Sequence, residues 1–251
     1  PQIYGRNLIN AQLGQPATIS RPGSAVGAFY GYKVIGLFQN DEEIAKSPVD
    51  NIDPQPGDFK YEDVTEDGKI NEDDRTIIGN PNPDYTFGIS NEFSYKNFNL
   101  SFLVYGSIGA NVANLNRFWT DAMFAGGSPL LNVRQEAYDG RWQGEGTSNY
   151  YPRARNTGTL FDTRFSDFLV EDATFVRLKN ISLSYDLPVA NSRFARKLSL
   201  FVAADNLLTL TKYKGYDPEV SGLSTNGMDR GIDYSTIPVF RTYSFGVVAG
   251  F

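Results

Sequence analysis

An acidic segment, residues 63–74, carries oxygen-bearing side chains whose spacing could hold a hard metal ion. It reads DVTEDGKINEDD. Calcium takes about six to eight oxygen ligands, which calcium loops of the EF-hand type supply from fixed positions around a turn-forming glycine. Gly68 falls at that glycine position. The ligands predicted on this template are Asp63, Thr65, Asp67, the backbone carbonyl of Lys69, Asn71 and Asp74.

Two departures from the template leave a second interpretation of this loop open. Thr65 stands where Asp or Asn is usual, and Asp74 replaces the bidentate glutamate that closes most such loops. No helical periodicity flanks the segment, so a helix–loop–helix frame is not predicted. The segment is either a calcium site or a solvated acidic loop, and the chain requires no other cofactor.

Few residues of the chain are candidates for catalytic groups. The chain contains no histidine and no cysteine, which excludes Ser-His-Asp and Cys-His catalysis and imidazole-bound zinc within it. Paired carboxylates can hydrolyse glycosides, but none of the 29 acidic residues lies in a distinctive motif. We therefore expect that the protein is not an enzyme.

Side chains between the predicted strands could instead hold a ligand without covalent chemistry. For each of them a role in packing or at a lipid interface is the alternative. The predicted ligand contacts are Trp119, Trp142, Tyr150, Tyr151, Tyr216 and Asp217.

The elements that must position these residues are predicted to be β-strands, because apolar and polar residues alternate with a period of two. In the last predicted strand, apolar side chains of residues 243, 245, 247, 249 and 251 share one face, opposite small, mostly polar residues. Further strands are predicted at residues 29–38, 85–95, 98–105, 180–187 and 197–205, and one short helix at 130–142.

The connections between these strands are unequal in length. Two are short, whereas three, near residues 39–84, 106–167 and 214–238, are long. Alternation alone is equally compatible with a soluble β-sandwich and with a membrane barrel, which joins its strands by short periplasmic turns and long extracellular loops. The connection lengths favour the barrel, and the terminal Phe251 resembles the aromatic residue with which bacterial outer-membrane barrels commonly end.

The composition of the chain limits the partners that it can bind and the ways in which it could cross a membrane. Net charge is -6 and no basic run is present, which argues against nucleic acid. No run reaches the roughly 18 apolar residues of a membrane helix. The chain opens at Pro1 rather than Met, and we expect it to be a fragment of a longer protein.

Several motifs in order resemble the SusC/RagA-type TonB-dependent outer-membrane transporters. The most extensive is GDFKYEDVTEDGKINEDDRTIIGNPNPDYTFGISNEFSYKNFNLSF, at residues 57–102. Similar segments are FYGYKVIGLFQNDEEI, YPRA, FVRLKNISLSYDLP, FVAADNLLTLTKYKGYDPEV and the terminal RTYSFGVVAGF. The resemblance covers nearly the whole chain from about residue 27.

This resemblance implies an all-β fold, a transmembrane antiparallel β-barrel of about 22 strands with a plugged lumen. Residues 1–251 would supply its C-terminal strands, and Phe251 would act as the barrel-assembly signal. It further implies TonB-driven import of oligosaccharides or peptides across the outer membrane of a Gram-negative bacterium. The implied partners are a SusD-like surface lipoprotein, outer-membrane lipid and the TonB complex, the last through an N-terminal region that this chain lacks. The alternative function is a secreted, β-rich, calcium-dependent binding module.

Overall fold

The computed structural model describes residues 2–4, 16–49, 54–121, 132–154, 164–189, 196–220 and 227–250. In these residues β-strands dominate. The strands are β1 (Ile3–Tyr4), β2 (Thr18–Ser20), β3 (Ala28–Gly31), β4 (Val34–Leu37), β5 (Phe59–Tyr61), β6 (Thr76–Gly79), β7 (Tyr85–Tyr95), β8 (Phe98–Ile108), β9 (Asn111–Asn114), β10 (Val170–Asp172), β11 (Phe175–Asp186), β12 (Lys197–Thr211), β13 (Ile232–Asp233) and β14 (Thr242–Gly250). The α-helices are α1 (Asp41–Lys46), α2 (Asn116–Thr120) and α3 (Gln135–Gly140).

The chain forms two compact units. The first, called the connection unit, comprises Pro1–Asn82, Asn111–Glu171 and Glu219–Thr236. The second, called the wall unit, comprises Pro83–Ala110, Asp172–Pro218 and Ile237–Phe251. The long segments that were predicted as connections therefore contribute most of one folded unit, with strands and helices of its own.

The wall unit is one five-stranded sheet in the order β14-β12-β11-β8-β7. Every neighbouring pair is antiparallel. At one end, Tyr95 pairs with Phe98 across a two-residue turn in which Lys96 has a φ of 54°, as the favoured hairpin turns require. At the other end, Ile108, Phe175 and Thr211 lie where the long connections leave the sheet. This arrangement is an up-and-down meander.

The two faces of this sheet differ sharply. In register across the strands, Leu100, Leu183, Val202 and Phe245 occupy one face, and their alternating neighbours are mostly serine, asparagine, threonine and glycine. The apolar face is exposed: Tyr243 is 67% and Phe245 88% accessible. In water such a surface would be costly, since about 25 cal/mol is gained for each Å² of apolar area removed from water. The pattern is that of a sheet whose apolar face meets lipid.

A β-bulge explains why β11 begins earlier than the predicted strand at residues 180–187. The pairing with both neighbours shifts between Leu178 and Asn180. Val176 and Leu178 therefore share a face with Ile181 and not with Asn180. A bulge adds one residue to a strand, so even- and odd-numbered residues exchange faces on its far side. The period-two pattern from residue 180 onward therefore does not continue before the bulge.

The connection unit has a core of its own. Its sheets are β1-β2-β3-β6, β10-β9-β13 and β4-β5. A single cluster of buried side chains, including Phe29, Leu37, Phe59, Phe118 and Phe168, holds them together. No helix in the described part of the chain is long and apolar enough to span a membrane.

The predicted strand at residues 29–38 is wrong as a single element, because it is two strands in two sheets. Between β3 and β4, Tyr32 exchanges backbone hydrogen bonds with Phe165 and Asp167. Gly31 lies so close to Phe165 that a Cβ there would be 2.2 Å from its carbonyl oxygen. The predicted helix at residues 130–142 is shorter, at Gln135–Gly140, and residues 130–131 lie outside the described residues.

We predict that charge is tolerated on one face of the wall and not on the other. Leu183→Arg places a guanidinium on the apolar face of the central strand, at a cost of about 2–4 kcal/mol at the membrane midplane. The matched change Ser182→Arg places it on the polar face and should cost much less. The folded fraction of the complete receptor, read from heat-modifiable gel mobility, measures both. Equal losses in the two variants would contradict the assignment of faces.

Candidate functional site

A network of buried charges organises the connection unit around Arg117. Its Nε donates to Asp121 Oδ2 at 2.7 Å, its Nη1 to the Phe168 carbonyl at 2.6 Å and its Nη2 to the Tyr150 hydroxyl at 2.9 Å. The guanidinium also stacks on the Phe168 ring, 4.3 Å from its centroid. Glu171 lies 3.6 Å from Nη1. The side chain of Arg117 is only 3% exposed, so each of these contacts offsets part of the cost of burying its charge.

Helix α2 sets the geometry of this network. Residues four apart lie on the same side of a helical turn, which brings Arg117 to Asp121. Arg134, 13 residues further along the chain, also reaches Asp121, with Nε and Nη2 at 2.7 and 2.6 Å from its two oxygens. Burial alone would raise the pKa of the Asp121 carboxyl, but hydrogen bonds from Arg134 and Arg117 outweigh it and lower the pKa. Asp121 is therefore a fixed negative charge.

Two predicted ligand contacts, Tyr151 and Trp142, are parts of the packed unit. Tyr151 belongs to the buried cluster, and burial, followed by the neighbouring Glu136 carboxylate, raises its pKa to about 12. Trp142 packs against the same cluster, and its Nε1 donates to Gln39 Oε1 at 3.2 Å. For both residues the structure favours the packing role.

Tyr150 is different, because half of its surface is exposed. Its hydroxyl is held by the buried Arg117, and its ring packs edge-on against Tyr151 at a centroid separation of 4.8 Å. The ring is therefore fixed in orientation while one side faces solvent, which leaves it able to contact a ligand.

Tyr216 and Asp217 belong to the wall unit and differ from each other. Tyr216 is 77% exposed. Asp217 is buried, and one of its oxygens accepts a hydrogen bond from Arg177 Nη2 at 2.7 Å. Asp217 is thus engaged by the protein itself, and the neighbouring tyrosine is the residue available for contact.

Two further predicted residues remain predictions. Trp119 lies in α2, and its side chain is outside the described part of the structure. Phe251 also lies outside the described residues.

The acidic loop forms the predicted turn, held by hydrogen bonds from its own backbone. Gly68 has a φ of 82°, and its N–H donates to Asp63 Oδ2 at 2.8 Å. Asp74 is fully buried and accepts from the N–H groups of Val64, Thr65 and Asn71 and from the Thr65 hydroxyl. Burial opposes ionisation, but the hydrogen bonds from Asn71, Thr65 and Val64 prevail and lower the pKa of Asp74.

The predicted calcium ligands are therefore close together, with their carboxylates turned to backbone donors. Lys69 and Asn71 join the same network through Asp67, whose oxygens accept from the Lys69 N–H at 2.9 Å and the Asn71 Nδ2 at 3.3 Å. Among the residues that the structure describes, no group of three or more His, Cys, Asp or Glu side chains is arranged to hold a metal. Calcium binding stays a prediction.

Sequence reasoning missed the arginines that organise both units, Arg117 and Arg177. Arg117 has its carboxylate partner Asp121 four residues further along the chain. Arg177 lies in the FVRLKNISLSYDLP segment, and its partner Asp217, 40 residues away, is set by the fold. One signal was present for Arg177: a charged residue between Phe175 and Leu178 in an otherwise apolar and polar alternation marks a position that needs a partner.

We predict that two aspartates of the connection unit, the buried Asp121 and the half-buried Asp167, respond differently to neutralisation. Asp121→Asn leaves Arg117 and Arg134 without their carboxylate, a loss of about 3–5 kcal/mol for a buried pair. Asp167 has its pKa raised by burial, and Asp167→Asn keeps an oxygen for the Val34 N–H that now donates to it at 2.9 Å. Asp167→Asn should leave stability unchanged or higher at neutral pH.

The pH dependence of the two groups should also differ in sign. Ionised Asp121 stabilises the folded unit above the unfolded pKa of about 3.9, and this stabilisation is lost as pH falls through its lowered folded pKa. The cost of burying ionised Asp167 disappears as pH falls through its raised folded pKa. Hydrogen exchange of residues 116–121 and 164–169 in the complete receptor, measured against pH, tests this. Equal destabilisation in both variants would contradict it.

Nearly the whole chain is similar in sequence to parts of known TonB-dependent receptors. It is 31% identical over 241 residues to TonB-dependent receptor P3 of Formosa agariphila, covering 94% of this chain and 23% of that receptor. It is 31% identical over 252 residues to receptor P26 of the same organism, covering 96% and 24%. TonB-dependent receptor SusC of Bacteroides thetaiotaomicron is 26% identical over 217 residues, covering 84% and 19%. The chain thus spans less than a quarter of the length of these relatives.

The fold is similar to that of solved transporter structures. The RagAB peptide importer in its open-open state matches with a TM-score of 0.72 at 24% identity, covering all of this chain and 24% of that one. Its closed-closed state matches with a TM-score of 0.70 at 25% identity, covering 94% and 24%. No family model matches the chain. These likenesses and the strand pattern confirm the predicted all-β barrel fold. The chain is a segment of a SusC/RagA-type TonB-dependent receptor.

Proposed function

We propose that the receptor containing this segment is a nutrient importer of the outer membrane of a Gram-negative bacterium. The observation that carries the proposal is the sheet of the wall unit, with an exposed apolar face on one side and a polar face on the other. A polar inner face is what a solute path across a membrane needs, and an apolar outer face is what lipid needs. The names of the similar proteins, receptors and a peptide importer, support the same function.

The proposed cargo is an oligosaccharide or a peptide, bound without covalent chemistry. Tyr150 and Tyr216 have exposed rings, and that of Tyr150 is held in place through its hydroxyl by Arg117. Exposed aromatic side chains suit the apolar faces of sugars and of peptide side chains. No nucleophile or general base is needed for transport, which agrees with a chain that lacks histidine and cysteine.

We further propose two protein partners. One is a SusD-like surface lipoprotein that covers the extracellular opening. The other is the TonB complex, which would supply energy through a region outside this chain. Similarity to TonB-dependent receptor SusC and to the RagAB peptide importer supports this proposal.

The alternative function, a secreted calcium-dependent binding module, rests on the acidic loop alone. It requires a protein that is soluble without detergent, whereas the wall unit presents a wide apolar face. Fractionation of cells separates the two functions directly: an importer stays in the outer-membrane fraction and needs detergent for extraction.

Calcium binding has its own test, whichever function holds. If residues 63–74 hold calcium, the ion should raise the thermal stability of the complete receptor and slow hydrogen exchange in this loop, relative to a chelator. Asp63→Asn should abolish the effect. Glu66→Gln, in the same loop but outside the predicted ligand set, is the control and should preserve it. No response to calcium in the unchanged protein would refute the prediction.

We predict that uptake depends on TonB. Cells that carry the receptor should accumulate labelled oligosaccharide or peptide, and an otherwise identical strain without TonB should not, because a plugged barrel opens only with energy. Deletion of the lipoprotein gene should lower uptake at low substrate concentration. Equal uptake with and without TonB would show passive diffusion and would contradict the proposal.

A further inference from the structure

A buried ion pair lies on the polar face of the wall unit. Arg177 on β11 pairs in register with Tyr105 and Thr209. Its Nη2 donates to Asp217 Oδ1 at 2.7 Å and its Nε to the Thr209 hydroxyl at 3.0 Å. The guanidinium also lies over the Phe175 ring, 5.2 Å from its centroid. The side chains of Arg177 and Asp217 are 3% and 10% exposed.

Asp217 belongs to a turn, residues 213–218, that follows β12 and is fixed on both sides of its apex. On one side Tyr213 is buried, and its ring lies against the backbone of Gly215, where an added Cβ would be 2.4 Å from the ring. On the other side Asp217 and Pro218 are buried. Between these two anchors Tyr216 is exposed. In the described part of the chain its side chain makes no hydrogen bond, ion pair or ring contact.

The ion pair is better explained by geometry than by stability. A buried pair returns little net free energy, since desolvation cancels most of the attraction, and an apolar pair of similar volume is often as stable. What a charged pair adds is one defined distance and orientation. Here that orientation fixes the backbone beside Tyr216. A large side chain presented on a fixed backbone loses less entropy on binding than one on a free loop.

We propose that Arg177 and Asp217 are a positioning pair that fixes residues 213–218 so that the ring of Tyr216 contacts the transported substrate. This inference rests on the proposed import function and adds the residues that prepare the contact. The surface that Tyr216 offers is flat, aromatic and uncharged, and the buried charge of Arg177 beside this turn is paired with Asp217. The ligand group that fits is therefore an uncharged, flat apolar face.

The experiment uses the complete receptor in detergent and two probes: a mixture of neutral linear glucose oligosaccharides, and a tryptic digest of serum albumin. Affinity for the retained probe and hydrogen exchange in residues 213–218 are both measured. Tyr216→Ala should weaken binding about tenfold, as loss of a central aromatic contact does, and should leave exchange unchanged. Asp217→Asn should weaken binding similarly and speed exchange. Asp217→Glu, which keeps the charge, should bind with nearly the affinity of the unchanged receptor and show nearly the same slow exchange.

The double variant separates positioning from independent effects. If Asp217 acts through Tyr216, then Asp217→Asn combined with Tyr216→Ala should bind no worse than Tyr216→Ala alone. Tyr138→Ala, a change at an exposed tyrosine of the other unit, is the matched control and should bind as the unchanged receptor does.

The outcomes also distinguish this inference from the function beneath it. If the unchanged receptor binds one probe and Tyr216→Ala binds it equally well, the positioning proposal fails while the import function stands. Unchanged exchange in Asp217→Asn has the same meaning. If the unchanged receptor binds neither probe and cells take up neither, the proposed function fails and the inference fails with it.

Discussion

The structure depends on one constraint, that backbone N–H and C=O groups facing hydrocarbon must be paired within the protein. Unsatisfied groups cost several kcal/mol each in lipid, so only helices and closed barrels cross a membrane. In the described part of the wall unit, antiparallel ladders pair the backbones of β12, β11 and β8 on both sides and those of β14 and β7 on one side. Side chains alternate between the two faces of this sheet with a period of two. Apolar residues lie on one face and small polar residues on the other. The exposure of Phe245 and Tyr243, which would be a liability in water, follows from the same constraint.

The connection unit is stabilised differently, because its apolar side chains are buried inside it. It has a buried aromatic core, as a soluble domain has, and it also buries charge. Arg117, Asp121 and Arg134 are held in a network in which Asp121 accepts hydrogen bonds from both arginines. In the wall unit Arg177 and Asp217 form a smaller buried ion pair. Arg117 holds the hydroxyl of the exposed Tyr150, and Arg177 holds Asp217, the residue next to the exposed Tyr216. In both units a buried charge therefore fixes geometry close to the surface.

The strands of the wall could be predicted from sequence because the two faces of this sheet meet different environments. Apolar and polar residues therefore alternate along each strand. The pattern gave β7, β8 and β14 nearly residue for residue, and it lost the start of β11, where the bulge at Lys179 reverses the parity. The connection unit was harder to predict. Its strands are at most four residues long, and some of them, such as β3 and β9, are buried on both sides, so they carry little alternation. Some of its ion pairs join residues far apart in sequence, such as Arg117 and Glu171, and no local pattern identifies such partners. Among the predicted ligand contacts, the sequence gives no reason to distinguish Tyr216 from Asp217. The structure distinguishes them, because Tyr216 is exposed and Asp217 is buried.

One face of the wall sheet meets lipid, and the accessibility of residues along β11 tests this directly. The chain has no cysteine, so single cysteines can be introduced along β11 at residues 180–185 of a receptor without other cysteines and spin-labelled in lipid bilayers. Collisions with oxygen, which dissolves in hydrocarbon, should be frequent at residues 181, 183 and 185 and rare at 180, 182 and 184. A water-soluble nickel complex should show the reverse order. Equal access of the nickel complex to both sets of positions would contradict the claim, because it would mean that water covers both faces of the sheet.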